Sequence, residues 1–590
     1  MTFLQRNVTM FSGDYMKKKI IICFALIVCM AVGLVAVYRS QNPTLLRMQK
    51  YIKYKITYQQ MPVSKDETEG LDEIKKTFLY ENGYLVGREN INPLKDNKKV
   101  YVTKDFSRLI NYPHGYMVDL PENVKFDFDY SPLYTKVNGK SFDATLSMEY
   151  SPYDDVDGYL AYYLNRFILS EDYQKGNNLN VSERKFTTKK GHEAQVINAE
   201  ILNPGDAEYS NYAYVLIKTN TRIFYRMMFR YNENIDEVIN IAVESFSYFS
   251  PIGEGVYNLD FKPQKPKHWS EETKDLYEKI ENADNIRWGI FTKNIYAEGI
   301  DQTVPEIEQK TGYTFPVILS YVHFTHEFPT EFMQKNYDKG RIVELTYQIT
   351  DSNNEKLFGY TPNLDIYRGL KDEEIRKFAR AAKEFGHPFL FRLNNEMNSD
   401  WTSYSGIVNM SDPEIFIANW RRFYDIFKEE GVDNAIWIYN PNDHNYPPCN
   451  WNNFLAYYPG DKYVQMIGVT GYNTGTYYKD HFGEQWREFE TIYDDVDYKY
   501  QPFFSEFPWI ITEFGSSSVG GNKVQWINNM FDCIDKYENI KIAVWFSYAD
   551  YDYRPEHKGK VARPYWLDET EETLNAFKNG IKHNSIEGWK

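Results

Sequence analysis

Two carboxylates lie where apolar runs of the sequence end, and these are the residues best suited to do chemistry. Glu396 closely follows the run Phe389–Leu393, and Glu513 closes the run that begins at Trp509. Short apolar runs are typical of buried strands in a parallel sheet, whose carboxyl ends carry the chemistry. A carboxylic acid that donates a proton and a carboxylate that attacks as a nucleophile are together sufficient to cleave a glycosidic bond with retention of configuration.

Eight candidate strands that alternate with helical segments would bring these carboxylates together. The strands are predicted at Ile286–Phe291, Phe315–Val322, Ile342–Gln348, Phe389–Leu393, Ala435–Tyr439, Val464–Val469, Trp509–Glu513 and Ile540–Phe546. The helices are predicted at Pro329–Asp338, Asp372–Glu384, Pro413–Glu430, Trp451–Tyr457, Glu484–Tyr493, Val524–Tyr537 and Thr570–Ile581. This pattern predicts a (β/α)8 TIM barrel at residues 270–590, with Glu396 after the fourth strand and Glu513 at the end of the seventh.

The region before the barrel has a different periodicity. Alternating segments indicate hairpins, and two amphipathic segments have apolar residues at helical spacing, so residues 41–250 are predicted to form an α+β accessory domain. The hairpin segments are Lys75–Leu85, Ala144–Tyr150, Glu193–Leu202, Tyr212–Lys218 and Arg222–Tyr231, and the helical ones are Val156–Leu169 and Ile235–Phe249. Prolines and glycines mark residues 251–269 as a linker. The accessory domain could bind the cell wall, bind a partner or act as a spacer.

The first forty residues have the pattern of a membrane anchor. Lys17, Lys18 and Lys19 precede an uncharged apolar stretch from Ile20 to Val37, which is at the lower end of the ~17–25 residues that span a bilayer. We expect residues 1–40 to be a cytoplasmic tail and a transmembrane helix, so that a single-pass plasma-membrane protein holds its catalytic domain outside the cytoplasm. The alternative is a signal peptide that is cleaved on secretion.

Composition excludes some partners and favours others. The net charge of −16 and the pI near 5.3 argue against a nucleic-acid partner, because little basic surface would be available to neutralise phosphates. Aromatic residues make up 17% of the chain, which fits stacking surfaces for sugars or a bias of the source genome. We expect neither a cofactor nor a metal: His323 and His326 have a spacing that could hold a metal ion, but no third ligand is visible beside them.

The segments around both glutamates resemble a known group. Asn395-Glu396 after the fourth strand and Thr512-Glu513-Phe514-Gly515 at the end of the seventh are similar to the clan A retaining glycoside hydrolases. Within the clan the resemblance is to glycoside hydrolase family 26, which consists largely of β-mannanases with relatives that act on β-1,3-xylan and mixed-linkage β-glucan. The supporting segments lie at residues 391–393, 396–398, 401, 437–442, 467–473 and 544–546.

The resemblance implies a role for each matching residue. Glu396 would be the acid/base and Glu513 the nucleophile, with carboxyl groups about 5–5.5 Å apart. Tyr472 would donate a hydrogen bond to the nucleophile, while Trp401 and Trp545 would line sugar-binding subsites. Arg392 and Asn395 complete the predicted substrate site, Arg392 also favouring the ionised form of Glu513. Asn395 stands where family 26 usually has histidine, at a position that helps to read the sugar's 2-hydroxyl.

The expected function is therefore that of a retaining, endo-acting β-glycanase, with a β-linked polysaccharide as its partner and β-1,4-mannan as the first substrate to consider. A related alternative is another β-glycan, such as mixed-linkage glucan, xylan or an exopolysaccharide that the cell itself makes. An alternative of a different class is an inactive surface protein that only binds glycan. The sequence leaves the oligomeric state open.

Overall fold

The computed structural model describes residues 98–581 apart from 103–105, 122–123, 128–132, 152–155, 220–221, 250–258 and 351–360. The predicted anchor at Ile20–Val37, the predicted hairpin segment Lys75–Leu85 and half of the predicted linker lie outside the described residues. Within the described part of the chain, every helix is too short or too polar to cross a bilayer.

The N-terminal domain, residues 98–249, is α+β and contains two antiparallel sheets. One sheet has the order β1-β2-β3-β11, with β1 Lys98–Val102, β2 Phe106–Asn111, β3 Tyr116–Pro121 and β11 Ser247–Tyr248. The other has the order β4-β5-β6-β10-β9-β8-β7, with β4 Lys125–Asp127, β5 Tyr134–Asn138, β6 Phe142–Tyr150, β7 Leu179–Thr187, β8 Glu193–Ile201, β9 Asn211–Lys218 and β10 Ile223–Tyr231. The helices of this domain are Val156–Arg166, Glu171–Gly176 and Asp236–Ser245. The hairpin prediction is confirmed for β6, β8, β9 and β10 to within two residues.

The seven-stranded sheet is buried on both faces. Along β9, Ala213, Val215 and Ile217 point into the core of the N-terminal domain. The alternate residues Tyr212, Tyr214 and Leu216 point the other way, into a second core. Because side chains alternate across a strand, a strand that is apolar at every position is covered on both sides. The second core contains side chains from the helix Val156–Arg166 of the same domain and further side chains from the barrel domain.

The C-terminal region is a closed barrel of eight parallel strands in sequential order, as predicted. The strands are β12 Arg287–Thr292, β13 Val317–His323, β14 Ile342–Gln348, β15 Phe389–Leu393, β16 Ala435–Tyr439, β17 Met466–Asn473, β18 Trp509–Ser516 and β19 Ile540–Ser547. A small hairpin follows the last of them, β20 Ala549–Tyr551 with β21 Val561–Pro564. The barrel places the ends of β15 and β18, and hence both glutamates, on its carboxyl face.

Helices and short helical turns surround the barrel. The α-helices are Glu271–Glu281, Val304–Thr311, Thr330–Asp338, Pro362–Tyr367, Asp372–Phe385, Pro413–Glu429, Lys479–Phe482, Phe489–Phe504, Lys523–Cys533 and Glu571–Ile581, with a π-helix at Ile295–Thr303. The helix predicted at Trp451–Tyr457 is two 3₁₀ turns, Asn450–Asn452 and Phe454–Tyr457. The helix predicted to begin at Glu484 begins at Phe489, because Glu484 and Arg487 are engaged in loop ion pairs with Arg563 and Asp443.

A barrel-side surface covers the second face of the seven-stranded sheet, so the two domains share one apolar core. The N-terminal domain contributes Tyr173, Ile197, Tyr212, Tyr214, Leu216, Phe224 and Met228. The barrel domain contributes Leu364, Tyr367, Ile407, Val408, Met410, Ile415 and Trp451. Val408 and Met410 belong to the loop that follows Glu396, so this shared core extends toward the carboxyl face of the barrel.

Candidate active site

Glu396 lies just beyond the end of β15 in a backbone conformation that holds it in place. Its amide donates to the carbonyl of Asn440, 2.9 Å away, and Asn395 forms an isolated parallel bridge with the same residue. Asn394 and Glu396 both have a φ of 56°, in the left-handed region that few residues other than glycine adopt. Such a conformation costs on the order of 1–3 kcal/mol and persists where the surroundings enforce it, often at a functional site.

Glu513 lies within β18, where the pairing register with both neighbouring strands shifts. A shift of this kind is a bulge, which changes the direction of a side chain at the rim of a barrel. The Glu513 carboxylate accepts hydrogen bonds from the Tyr472 hydroxyl at 3.0 Å and pairs with the Arg392 guanidinium at 2.7 Å. The structure therefore brings Arg392 and Tyr472 together with Glu513, as the sequence predicted.

Asn395 connects the two glutamates. Its side-chain nitrogen lies 3.3 Å from Oε2 of Glu396 and 3.4 Å from Oε1 of Glu513. Its side-chain oxygen accepts from the Tyr404 hydroxyl at 2.7 Å and from Gln348 at 2.9 Å, which fixes the direction of the amide. Because one nitrogen contacts both carboxylates, the distance between these two carboxylate oxygens is at most the sum of the two N···O distances.

The surroundings of Glu396 favour its protonated form near neutrality. Burial, followed by the nearby charge of Glu513, raises the pKa of Glu396 to about 7. Hydrogen bonds from Asn442 to Oε1 and from Trp401 Nε1 to Oε2, the latter at 3.3 Å, act in the opposite direction and limit the rise. A carboxylic acid with this pKa can donate a proton and recover it within one catalytic cycle.

Arg392 does not contact the substrate space, which corrects its prediction as a substrate-binding residue. Its side chain is fully buried, with the guanidinium against the Glu513 carboxylate. Besides Glu513, it lies 3.2 Å from Glu344 and donates to Thr346 at 2.7 Å and to Asn440 at 2.8 Å. Arg392 therefore pairs with Glu513 from a buried position and holds it in place.

Glu344 and Tyr321 are site residues that sequence reasoning missed. Glu344 lies at the centre of β14 and is fully buried, and burial raises its pKa to about 8 despite the opposing charge of Arg392. Tyr321 contacts Glu513 and Arg392, and burial followed by the charge of Glu513 raises its pKa well above the ordinary value. A glutamate inside the otherwise apolar start of β14, Ile-Val-Glu-Leu, was the available signal.

Aromatic side chains border the two glutamates on different sides. Trp401 is 41% exposed next to Glu396, and its ring centroid lies 5.1 Å from that of Tyr446, which is equally exposed. Beside Glu513, the Tyr472 ring meets Phe546 edge-on at 5.9 Å and Tyr565 at 4.9 Å. The exposed faces of Trp401 and Tyr446 and the partly exposed faces of Tyr472 and Phe546 suit the apolar faces of sugar rings, whereas Tyr565 is buried.

Trp545 does not line a subsite, which corrects a second prediction. Its side chain is fully buried outside the barrel strands, where it packs on Phe514, Trp526 and Phe577. The physical reason is the alternation of β19, in which neighbouring residues point to opposite sides. The next residue, Phe546, is the one that points inward toward Tyr472.

The fold and the site together define a class. A closed (β/α)8 barrel with a glutamate after its fourth strand, a second glutamate on its seventh, and one asparagine joining them has the arrangement of the clan A glycoside hydrolases. Residues 342–491, which include Glu396, match the model of glycosyl hydrolase family 26. Over these residues the barrel is therefore similar to the glycoside hydrolases of family 26.

Parts of the chain are also similar to individual proteins. Endoglucanase H of Acetivibrio thermocellus is 30% identical over 289 residues, covering 48% of this chain and 29% of that protein. A mannan endo-1,4-β-mannosidase of Bacillus subtilis is 31% identical over 101 residues, covering 16% of this chain and 25% of that protein. The chain therefore spans less than a third of the length of these relatives. The catalytic domain of a family 26 endo-β-1,4-mannanase from Bacillus sp. JAMB-750 aligns with a TM-score of 0.41 at 17% identity, covering 56% of this chain and 94% of that one.

Proposed function

We propose that this protein is a retaining, endo-acting β-glycanase that hydrolyses a β-linked polysaccharide, with Glu396 as acid/base and Glu513 as nucleophile. The observation that carries the proposal is the single asparagine, Asn395, that contacts both carboxylates. Retaining enzymes hold their two carboxyl groups about 5–5.5 Å apart, whereas inverting enzymes leave about 6.5–9.5 Å for a water molecule. Two carboxylates that share one amide nitrogen fit the shorter separation.

In the first step Glu513 attacks the anomeric carbon while Glu396 protonates the glycosidic oxygen. The C–O bond to the leaving sugar breaks, its electrons and the Glu396 proton go to the leaving oxygen, and a glycosyl ester forms on Glu513. Arg392 and Tyr472 hold the Glu513 carboxylate in position for the attack, since the guanidinium pairs with it and the hydroxyl donates to it. Glu396 starts this step protonated because its pKa is raised to about 7.

In the second step the roles of Glu396 reverse. Now ionised, Glu396 removes a proton from a water molecule that attacks the anomeric carbon, and the ester bond to Glu513 breaks. Formation of the ester removes the negative charge of Glu513. The repulsion between Glu513 and ionised Glu396, which raises the pKa of Glu396, is then lost. Glu396 therefore holds its proton before the ester forms, and its ionised form is favoured once the ester has formed.

The mechanism determines which aromatic side chains would contact the leaving part of the polysaccharide and which would contact the part that becomes bound to Glu513. The leaving part of the polysaccharide lies on the side of Glu396, so Trp401 and Tyr446 would stack on the aglycone. The part that becomes bound to Glu513 lies on the side of Tyr472 and Phe546. Sugar-binding aromatic surfaces on both sides of the cleavage point support cleavage within a chain.

The first substrate to test is β-1,4-mannan, and mixed-linkage or other β-glucan is a second candidate. The relative matched over 289 residues is named an endoglucanase, while two shorter matches are mannan endo-1,4-β-mannosidases. Mannose and glucose differ at the 2-hydroxyl, and Asn395 lies between the glutamates that flank the reacting carbon. The amide nitrogen of Asn395, which contacts both glutamates, is therefore the candidate group for reading this hydroxyl.

Hydrolysis assays test the proposal. The full chain is incubated with β-1,4-mannan, mixed-linkage β-glucan, β-1,3-xylan and cell-derived exopolysaccharide, and the reducing ends and product lengths are followed. We expect internal cleavage of at least one glycan, products first released as the β-anomer, and a loss of at least about 10²–10⁴-fold in Glu396→Ala and Glu513→Ala. First release of the α-anomer would contradict retention, and binding without products would favour the glycan-binding alternative.

The proposal includes the predicted anchor, with residues 20–37 holding the catalytic domain outside the cytoplasm at the plasma membrane. Its support is the run of three lysines followed by an uncharged apolar stretch. Fractionation of cells that express the chain with and without residues 1–40 tests this. The anchored form is expected in the membrane fraction and sensitive to external protease, and release of a shortened form into the medium would instead indicate cleavage.

A further inference from the structure

The loop at residues 399–412, which we name the acid-side loop, lies between the proposed acid/base and the N-terminal domain. The barrel holds its first half, since the Ser403 hydroxyl donates to the Ile349 carbonyl at 3.0 Å and its own carbonyl accepts from Thr361 at 2.9 Å. Its second half ends in Met410 and Ser411, with φ of 57° and 50°. Two consecutive left-handed residues other than glycine need support from outside the loop.

Two buried tyrosines of the N-terminal domain supply part of this support. The Tyr173 hydroxyl donates to the carbonyl of Val408 and accepts from the amide of Met410 at 3.2 Å. The Tyr214 hydroxyl donates to the carbonyl of Met410. A backbone group that is buried in an apolar core costs about 1–3 kcal/mol when it has no hydrogen-bond partner. The two hydroxyls therefore stabilise the loop conformation in which the backbone groups of Val408 and Met410 face the N-terminal domain.

Two arginines on the same face of β10 hold the end of the loop. Arg226 donates to the carbonyl of Ser411 at 2.6 Å and lies 4.9 Å from the ring centroid of Trp451. Arg230 lies 3.5 Å from Asp412, and both side chains are almost fully buried. Asp412 caps the helix Pro413–Glu429 by accepting from the Glu414 amide at 3.1 Å. The N-terminal domain thus fixes the position at which the loop becomes a helix.

The acid-side loop connects directly to both glutamates. Asn409 donates to the carbonyls of Ser403 and Ser405, at 3.2 and 2.9 Å, and so ties the second half of the loop to the first. Tyr404 then orients Asn395, and Trp401 donates to Glu396. At the rim, Arg166 at the end of the helix Val156–Arg166 lies 3.7 Å from Asp400, next to Trp401.

We infer that the N-terminal domain is a positioning platform for the acid-side loop, and that Tyr173 and Tyr214 are positioning residues that hold Trp401 and Tyr404 beside Glu396 and Asn395. The inference rests on the proposed function and goes beyond it, because it makes a domain without catalytic residues part of the catalytic apparatus. A wall-binding module or a spacer would need no hydrogen bonds to the backbone of an active-site loop.

The experiment compares two variants of the full-length chain. The double variant Tyr173→Phe/Tyr214→Phe removes the two hydroxyls that contact the acid-side loop. The matched control Tyr225→Phe removes a buried hydroxyl on β10 that donates within the N-terminal domain, to the carbonyls of His114 and Gly115 at 2.8 and 3.0 Å. Hydrogen exchange of residues 399–412, kcat, KM, the pH profile and Tm are measured for both.

The double variant is expected to exchange faster at residues 399–412 and to lose about tenfold in kcat, a loss typical of a misplaced catalytic group. Water admitted beside Glu396 lowers its pKa, so the basic limb of the pH profile should move to lower pH. The control should keep wild-type exchange and kcat, even if its Tm falls as much. Unchanged exchange in the loop, or faster exchange with unchanged kcat, would overturn the inference. Absence of activity in the wild type would refute the proposed function instead, and the exchange comparison would still decide whether the domain holds the loop.

Discussion

At the scale of the residue, one arginine serves two carboxylates. Arg392 lies 2.7 Å from Glu513 and 3.2 Å from Glu344, all three buried. One guanidinium cannot fully compensate two buried negative charges, so the carboxyl group with fewer donors retains its proton. Glu513 also has Tyr472 and Asn395 as donors. Glu344 is therefore the protonated member, in agreement with its pKa raised to about 8.

The variant Glu344→Gln tests this assignment. A neutral amide of the same shape replaces a neutral acid, so we expect kcat within about threefold of wild type. The pKa of Glu344 is raised from ~4.3 in the unfolded chain to about 8 in the fold. Wild-type stability thus falls as pH rises between these values, and the variant lacks this loss. Denaturant titrations from pH 4 to 9 should show the variant gaining relative stability up to about pH 8. A large loss of kcat at neutral pH would indicate that Glu344 is ionised.

The pH dependence of hydrolysis reports on Glu396 in the same way. Because Glu396 must start protonated and its pKa is about 7, kcat/KM should fall above about pH 7. Asn442 donates to Glu396 and lowers its pKa, so Asn442→Ala should move this basic limb to higher pH. Rates from pH 4 to 10 measure the shift, with Asn445→Ala on the same loop as the control. An unchanged basic limb of the pH profile in Asn442→Ala would mean that Asn442 does not lower the pKa of Glu396.

At the scale of the element, strand alternation decides which aromatic side chains can meet a sugar. On β19, Trp545 packs outward among the helices and Phe546 inward beside Tyr472. One register position therefore separates a core residue from a cleft residue. The same alternation on β9 and β10 separates the side chains of the N-terminal core from those that face the barrel.

Alanine substitutions on β19 should separate these two roles. Trp545→Ala is expected to cost about 3–5 kcal/mol in the free energy of unfolding, since it leaves a cavity in the core. Phe546→Ala should leave Tm almost unchanged and raise KM, because a partly exposed side chain next to the nucleophile is lost. Denaturant unfolding and steady-state kinetics of both variants measure this. If Phe546→Ala lost stability and Trp545→Ala changed KM, Phe546 would be the core residue and Trp545 the one that contacts the glycan.

Much of the barrel could be predicted because its signals are local. Apolar runs predicted three strands to the residue, and polar residues at the run ends predicted Glu396 and Glu513, while the role of Tyr472 came from the resemblance to family 26. Spacing alone did not give the direction of each side chain, so Trp545 was predicted in place of Phe546. The contacts of Glu344 and Tyr321 with Arg392 join different strands, and only closure of the barrel brings them together.

At the scale of the whole molecule, the two domains are joined by a shared core as well as by the chain. Aromatic and aliphatic side chains of both domains form this core, and Arg226, Arg230 and Glu149 add polar contacts across it. Sequence reasoning could not predict this attachment, because arginines within a strand are typical of a solvent-exposed face. Burial of these arginines depends on partners almost two hundred residues away.

Calorimetry of the full-length chain should show one cooperative transition for both domains, since neither can expose the shared core without losing stability. Arg226→Ala removes a buried donor and is expected to lower the Tm of this single transition by several degrees. Arg184→Ala, which removes an exposed contact with Asn240, is the control and should change Tm little. Two separate transitions in the wild type would contradict a shared core.

The burial of Arg392 also determines how the enzyme should respond to ionic strength. Dissolved ions screen charges over about 8 Å at physiological salt, but they act through water, and the guanidinium beneath Glu513 is out of contact with water. The state of the nucleophile is therefore independent of the salt concentration, whereas the net charge of −16 on the whole chain is not. A neutral glycan should be cleaved equally well in dilute and in concentrated salt. An acidic glycan should be cleaved faster as salt screens its repulsion from the chain, so salt dependence alone distinguishes the two kinds of polymer.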